Sequence, residues 1–173
     1  MLIDTQSCST TWMDYPDNFS LAIIIYFVGC EHNCTNCHNI ALQKYESSSK
    51  KLLINDKELY YYIKTLSDIH RTNKIVFSGG DPLFKDNLKG VKELLFNNKE
   101  FNVCIYTGYS IDYIKDNEVK GFKFIKSGLY NENKKQNSKK TENALYLAST
   151  NQELYDENYN LISKNGIYYF KGV

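Results

Sequence analysis

Three cysteines fall within eight residues, in the segment Gly29-Cys30-Glu31-His32-Asn33-Cys34-Thr35-Asn36-Cys37-His38-Asn39. The spacing is C-x3-C-x2-C. An apolar run from Leu21 to Val28 leads straight into it, and its length and β-branching predict a buried strand. The chain must therefore present a tight, thiol-rich loop at a strand end. Three soft thiolates on one loop can grip one compact thiophilic centre. Iron–sulfur cubes usually take four cysteines, and no fourth lies in this run. A cube held by three keeps one iron open to a small molecule, and an open coordination position marks chemistry more than scaffolding.

Zinc is the competing reading. Cys30, Cys34 and Cys37 with His32 or His38 could form a Cys3His site. Zinc fingers and ribbons usually split their ligands into two separated pairs, however, and no second pair exists here. His38 is also adjacent to Cys37, which makes a shared tetrahedron awkward. Free thiols are the third possibility. The total of five cysteines is odd, against a disulfide scaffold, and their clustering suits metal binding in a reducing, cytoplasmic setting. Cys104 lies in the predicted strand 101–106 and reads as a small core residue. Cys8 has no assignment.

The 173 residues suit one domain spanning 1–173, long enough to bury a core without staples. With 42% apolar and 14% aromatic residues the chain is globular. A net charge of +1 gives no general electrostatic case for nucleic acid or a membrane surface. No basic leader and no apolar run approaching 18 residues is visible, so neither a signal peptide nor a membrane span is expected.

Strands are predicted at 20–28, 73–77, 101–106, 121–126, 143–148 and within 159–170. Helices are predicted at 56–70, capped by Asn55 or Asp56, at 86–98 with Leu88, Val91, Leu94 and Leu95 on one face, and at 110–116. Strands alternating with helices argue for an α/β fold with a mostly parallel sheet. No repeat or linker divides the chain. The Lys- and Asn-rich stretch 131–143 reads as a solvated loop, with a substrate-covering or partner-docking flap as the alternative. Trp12 and Tyr15 are expected to cover one end of the sheet, and His70 to lie at the surface.

Two further constellations follow strands. Phe77-Ser78-Gly79-Gly80-Asp81-Pro82 closes the second one. Paired glycines let a backbone bend and approach a neighbour closely, and Pro82 holds Asp81 extended. The Gly carbonyls and the Asp81 carboxylate could then receive a ligand ammonium; taken alone the segment reads as a plain strand-to-helix turn, but it shares a face with the cysteine loop. Tyr106-Thr107-Gly108-Tyr109 ends the next strand and could form another lip of the same pocket, because loops after parallel strands share one face. His32 and His38 read as neighbours that position backbone. Gly79-Gly80 lacks the spacing of a Walker loop or a dinucleotide fingerprint.

The cysteine loop and the Gly79-Gly80-Asp81-Pro82-Leu83 turn, in that order, resemble the radical S-adenosylmethionine superfamily. More narrowly, the chain resembles the anaerobic (class III) ribonucleotide reductase activating proteins. His32 two residues after the first cysteine, Tyr106-Thr107-Gly108-Tyr109 and Ser149-Thr150-Asn151-Gln152 are similar to segments of that family. The matches run from about residue 14 to 154. Three places depart from its pattern: Asp14-Tyr15-Pro16-Asp17 lacks a usual glycine, Lys126-Ser127-Gly128 stands where an Asp-Gly pair is common, and the Lys-rich insert is unusual.

The resemblance implies an incomplete (β/α)6-type barrel with a [4Fe-4S] cluster on Cys30, Cys34 and Cys37 and S-adenosylmethionine on the fourth iron. It implies that Gly79, Gly80 and Asp81 hold the methionine amine and that the backbone around Asn36 to His38, including Cys37, meets the adenine, with Thr107 on the lip. The implied reaction is reductive cleavage to a 5′-deoxyadenosyl radical, which makes a glycyl radical on the anaerobic reductase's large subunit. Electrons would come from a flavodoxin or ferredoxin. Within the superfamily, an activator of another glycyl-radical enzyme or a small-molecule enzyme such as a deazaguanine synthase is the alternative. Outside it, a zinc or iron–sulfur binding module is.

Overall fold

The computed structural model describes residues 1–170. Two short strands, β1 (Leu2–Asp4) and β2 (Ser9–Thr11), precede the apolar strand β3 (Ala22–Phe27). After the cysteine loop come β4 (Lys51–Leu53), α1 (Asp56–His70), β5 (Lys74–Gly79), α2 (Lys85–Asn97), β6 (Asn102–Tyr106), α3 (Ile111–Asp116) and β7 (Phe124–Ser127). β8 (Ala144–Tyr146), β9 (Glu153–Asp156) and β10 (Ile167–Tyr169) follow.

The main sheet runs β4-β1-β3-β5-β6-β7-β9, with β2 also on β3. Its centre, β3-β5-β6-β7, is parallel throughout. β1, β2, β4 and β9 add antiparallel pairs around it. The fold is thus α/β with a mostly parallel central sheet. The parallel run stops at β7, where the next partner, β9, is antiparallel, so among the described residues four strands rather than six run parallel. β8 and β10 form a separate ribbon.

Period-two alternation gives the parallel strands two different faces. Ile23, Ile25 and Phe27, with Ile75, Phe77, Val103, Ile105 and Ile125, pack on Leu59 and Ile63 of α1, Val91, Leu94 and Leu95 of α2, and Ile114 of α3. The opposite face, Ile24, Val76 and Cys104, packs on Ala22 and Tyr15 and, among the described residues, carries no α-helix. Helix α1 starts on Asn55, whose side chain accepts from the Glu58 amide while the Glu58 carboxylate accepts from the Asn55 amide. It stops at Arg71, which turns left-handed at φ 52°.

Four strands escape the sequence pattern. β1, β2 and β4 are three residues long, too short to show alternation, and β9 follows a turn rather than a helix. The expected strand from 121 starts only at Phe124, because Gly121 turns at φ +89°. Of 159–170, only Ile167–Tyr169 is strand. Cys104 is fully buried and His70 exposed, as expected. Tyr15 packs edge-on against Phe124 and closes the floor of the helix-free face, whereas Trp12 is 54% exposed.

The stretch 131–143 is not a free solvated loop. Tyr146, Ala148 and Thr150 pair with it through backbone bonds to Lys139, Gln136 and Lys134. The Lys140 side chain is buried, its Nζ donating to the Trp12 and Tyr15 carbonyls at 3.0 Å each. It lies 3.9 Å from Asp17 and faces the rings of Phe19 and Phe170. Lys139 pairs with Asp14 at 3.2 Å. Replacing Lys140 by Met strips both carbonyls of a charge-assisted partner. The unfolding free energy should fall by about 1–3 kcal/mol in a urea titration. An unchanged midpoint would show that this lysine does not anchor the segment.

Candidate iron–sulfur and cofactor site

A cavity of about 500 Å³ opens on the helix-free face. It is reached by the loops after β3, β5, β6 and β7, the C-terminal ends of the parallel strands. Register sets its layers: Ile24, Val76, Cys104 and Phe124 stand side by side as an apolar floor. Two residues further along, Tyr26, Ser78, Tyr106 and Lys126 form a polar layer facing the cavity. A wider depression, about 690 Å³, lies at the other strand ends beside Ser20, Arg71 and Lys74, away from the thiols.

Cys30, Cys34 and Cys37 all line the cavity and are half-buried. The loop that carries them leaves β3 through Gly29 at φ +102°, where a side chain would strike the rings of Phe84 and Tyr45. Its backbone is pinned by Gly29 N–H to the Leu42 carbonyl at 2.8 Å and Cys30 N–H to Gln43 at 2.9 Å. Asn33 and Asn36 take left-handed turns between the cysteines, a conformation asparagine tolerates. Among the described residues no group of three His, Cys, Asp or Glu gathers tightly enough to hold a single metal ion. A cube presents a separate iron to each thiolate, so it suits donors spread over one wall. Burial pushes the Cys30 thiol up to about 11, against the His32 amide, with Asp81 raising it further. Cationic iron would draw off that proton, since the thiolate is the ligand.

The glycines of the second loop serve packing between loops. A Cβ at Gly79 (φ +113°) would lie 2.3 Å from the Phe27 carbonyl. One at Gly80 would lie 2.6 Å from the carbonyls of Gly29 and Leu42. Gly80 N–H donates to Phe27 and Asp81 N–H to Gly29, both at 2.8 Å. Asn39, at the end of the cysteine loop, donates back to the Gly79 carbonyl at 3.0 Å. The two loops are stitched together by backbone that only glycine can supply.

Asp81 is 1% exposed and does not line the cavity. Its carboxylate accepts from Leu83 N–H at 2.8 Å and Gly108 N–H at 2.9 Å. Thr107 Oγ1 lies 2.9 Å from both oxygens, and His32 Nε2 2.9 Å from one. Where the sequence suggests a ligand ammonium, the structure puts four protein donors, so Asp81 positions the site. His32 is held by the same contacts: it packs edge-on against Tyr109, and only Gly108 leaves room, a Cβ there falling 2.4 Å from the imidazole. Tyr109 in turn stacks on Tyr113 and donates to Glu31 at 2.8 Å.

Of the residues singled out by sequence, Cys30, Cys34, Cys37, His38, Gly79, Gly80 and Thr107 meet around the one cavity. Asn36 is exposed and outside its lining, and Thr107 uses its hydroxyl on Asp81. Asn87 went unread: it sits fully buried on α2, accepting from Leu2 N–H and donating to the Val28 carbonyl. A polar residue on an otherwise apolar helix face was its only sequence signal. Lys126 and Lys135 to Lys139 also line the cavity. The Ser149–Gln152 segment braces its rim, Gln152 donating to the Gly128 carbonyl and Asn151 to Leu129.

Asp81→Asn would turn one acceptor into a donor facing donors. It should lower the unfolding free energy by about 2–3 kcal/mol, measured in urea. A wild-type midpoint would mean the carboxylate is not what joins the loops. Gly79→Ala should cost more, because both φ and the Phe27 backbone oppose it; a soluble variant of wild-type stability would contradict this geometry.

No curated protein matches the chain. A family model described as a 4Fe-4S single cluster domain matches residues 21–155, from β3 through most of β9, and includes all three clustered cysteines. That family is associated with radical S-adenosylmethionine-type iron–sulfur proteins and is compatible with oxidoreductase chemistry. It favours the iron–sulfur reading of the thiols over zinc. No described helix is long and apolar enough to cross a membrane. The chain belongs to the 4Fe-4S single cluster domain family.

Proposed function

We propose that this chain is a radical S-adenosylmethionine activase that generates a glycyl radical on a partner enzyme, the anaerobic ribonucleotide reductase. The observation that carries the proposal is the count of thiols at the cavity. Three cysteines reach it, while Cys104 lies a layer below in the apolar floor and Cys8 bonds the Asp4 carbonyl elsewhere. A cube on Cys30, Cys34 and Cys37 would therefore have one iron left for an exogenous ligand. The four parallel strands, with helices on one face and the cavity on the other, fit a partial barrel of this superfamily.

A cluster held by Cys30, Cys34 and Cys37 would supply one-electron reduction of a bound S-adenosylmethionine to methionine and a 5′-deoxyadenosyl radical, with a flavodoxin or ferredoxin as the electron source. Hydrogen-atom abstraction from a glycine of the partner would then yield 5′-deoxyadenosine and the partner's glycyl radical. The protein's own work is placement and exclusion of water. The edges of Gly79 and Gly80 face the cavity where the methionine amine would lie. Cys37 and His38, with the backbone turn at Asn36, offer a wall for the adenine, and Tyr130 stands near His38 with ring centroids 6.0 Å apart. Thr107 and Asp81 fix the lip between them.

A small-molecule substrate is the second reading, favoured by one observation. Lys135 to Lys139 wall the cavity to about 500 Å³, the size of a small-ligand pocket.

The test is anaerobic reconstitution with iron and sulfide, reduction, addition of S-adenosylmethionine and assay of 5′-deoxyadenosine. The wild-type protein should be brown and form the product. Cys34→Ala should lose both the cluster colour and the product, and full cleavage by that variant would sink the cluster assignment. Adding the reductase should yield its glycyl radical by electron paramagnetic resonance. A loaded, cleaving protein that leaves the reductase silent would move the assignment to another substrate.

A further inference from the structure

Past the last clustered cysteine the chain makes one short 3-10 turn, Ile40–Leu42, and returns to β4. Leu42 is buried, while Ile40 is 70% exposed and Ala41 is exposed beside it. Side chains on β4 alternate between faces, so Lys51 and Leu53 share one. Lys51 Nζ donates to the Ala41 carbonyl at 2.8 Å, which brings that face against the turn. Leu53 is 72% exposed. Ile40, Ala41 and Leu53 thus present apolar surface to solvent beside the cysteine loop, and none of the three lines the cavity.

Between Ile40 and Leu53 the chain carries Lys44, Lys50 and Lys51 against one carboxylate, Glu46. Glu46 pairs with Lys44 at 2.6 Å, so this border keeps an excess of positive charge. An apolar centre with a charged border is the make-up of a protein-docking surface. Small interfaces serve short-lived redox encounters, and opposite charge on the partner speeds them.

The surface has a short connection to the thiols. Gly29 N–H donates to the Leu42 carbonyl at 2.8 Å and Cys30 N–H to the Gln43 carbonyl at 2.9 Å. One hydrogen bond therefore separates the chain after the turn from the backbone of a cysteine. Electron tunnelling weakens steeply with distance, so a donor protein has to dock close to the thiols. Their cavity side is where the ligand and substrate of the proposed reaction have to lie. The Ile40–Leu42 turn leaves both undisturbed.

We propose that Ile40, Ala41 and Leu53, bordered by Lys44, Lys50 and Lys51, form the docking surface for an acidic one-electron carrier protein. This role rests on the function proposed above, which needs an electron from outside. The carrier loses one electron and a cluster on Cys30, Cys34 and Cys37 gains it, with no bond made or broken in the transfer.

The experiment uses the reconstituted protein, with flavodoxin and a ferredoxin, two acidic carriers, as probes. Calorimetric titration measures binding of the oxidised carriers. Loss of the cluster's visible absorbance on mixing measures reduction by the reduced ones. Ile40→Glu combined with Lys50→Glu should weaken binding and slow reduction at sub-saturating carrier roughly 10-fold. Leu53→Glu should act in the same direction, and added salt should do so in the wild type. Reduction by dithionite should stay at the wild-type rate, because it needs no docking.

Unchanged carrier binding and reduction in both variants overturns the surface, and so does an equal slowing with dithionite. Variants that keep carrier reduction but lose reductase binding, or a self-associated species in sedimentation, give the patch to another occupant and overturn it too. A wild-type protein reduced through this patch that cleaves no S-adenosylmethionine keeps the surface and fails the function. One that cleaves with dithionite but is neither bound nor reduced by either carrier keeps the function and fails the surface. A protein that takes up no cluster fails both.

Discussion

The carboxylate of Asp81 is the point on which this site depends. It is buried at the end of the β5 loop and collects donors from three chain segments: His32 of the cysteine loop, Leu83 of its own turn, and Thr107 and Gly108 after β6. A buried carboxylate is costly unless every oxygen is satisfied, so these donors are fixed as strongly as they fix it. The three loops cannot move independently. Asn39 on Gly79 and Asn87 on Val28 repeat the arrangement on either side. The cysteines are held on a lattice of polar contacts rather than on a free loop.

The parallel sheet beneath is divided by its own periodicity. Odd-numbered residues of β3, β5, β6 and β7 meet three helices and form the apolar core. Even-numbered ones meet Tyr15 at one end and open onto the cavity at the other. Moving along the strands by two residues changes Ile24, Val76, Cys104 and Phe124 into Tyr26, Ser78, Tyr106 and Lys126. Stability and chemistry thus share the same strands without sharing side chains.

Two departures from the resembled family turn out to be contacts of each other. One is Asp17, in Asp14-Tyr15-Pro16-Asp17, and the other is the Lys-rich stretch 131–143. In the fold Lys140 from that stretch is buried against Tyr15 and lies 3.9 Å from Asp17, while Lys139 pairs with Asp14. Neither segment has a periodic signal, and composition alone makes a run of Lys and Asn look solvated. Burial of one lysine among carbonyls and rings is a long-range event that no local pattern encodes. The same reason hid Asn87 and Lys126, whose partners and surroundings come from distant strands and turns.

The sequence by itself determined the elements and the chemical type. The apolar run at 21–28, the helical spacing of 56–70 and 86–98, and three thiols at C-x3-C-x2-C are local patterns, and local sterics and ligand chemistry act on near neighbours. The Asn55 cap and the paired glycines Gly79 and Gly80 were legible for the same reason, though not what they pack against. Only the tertiary structure decided that Asp81 serves the protein's own donors, that the parallel run ends after four strands, and that Lys139 and Lys140 clasp the N-terminal loop. Those outcomes turn on which buried polar groups find partners once the chain is folded, and partners up to 128 residues apart are matched by the fold and by no spacing along the chain.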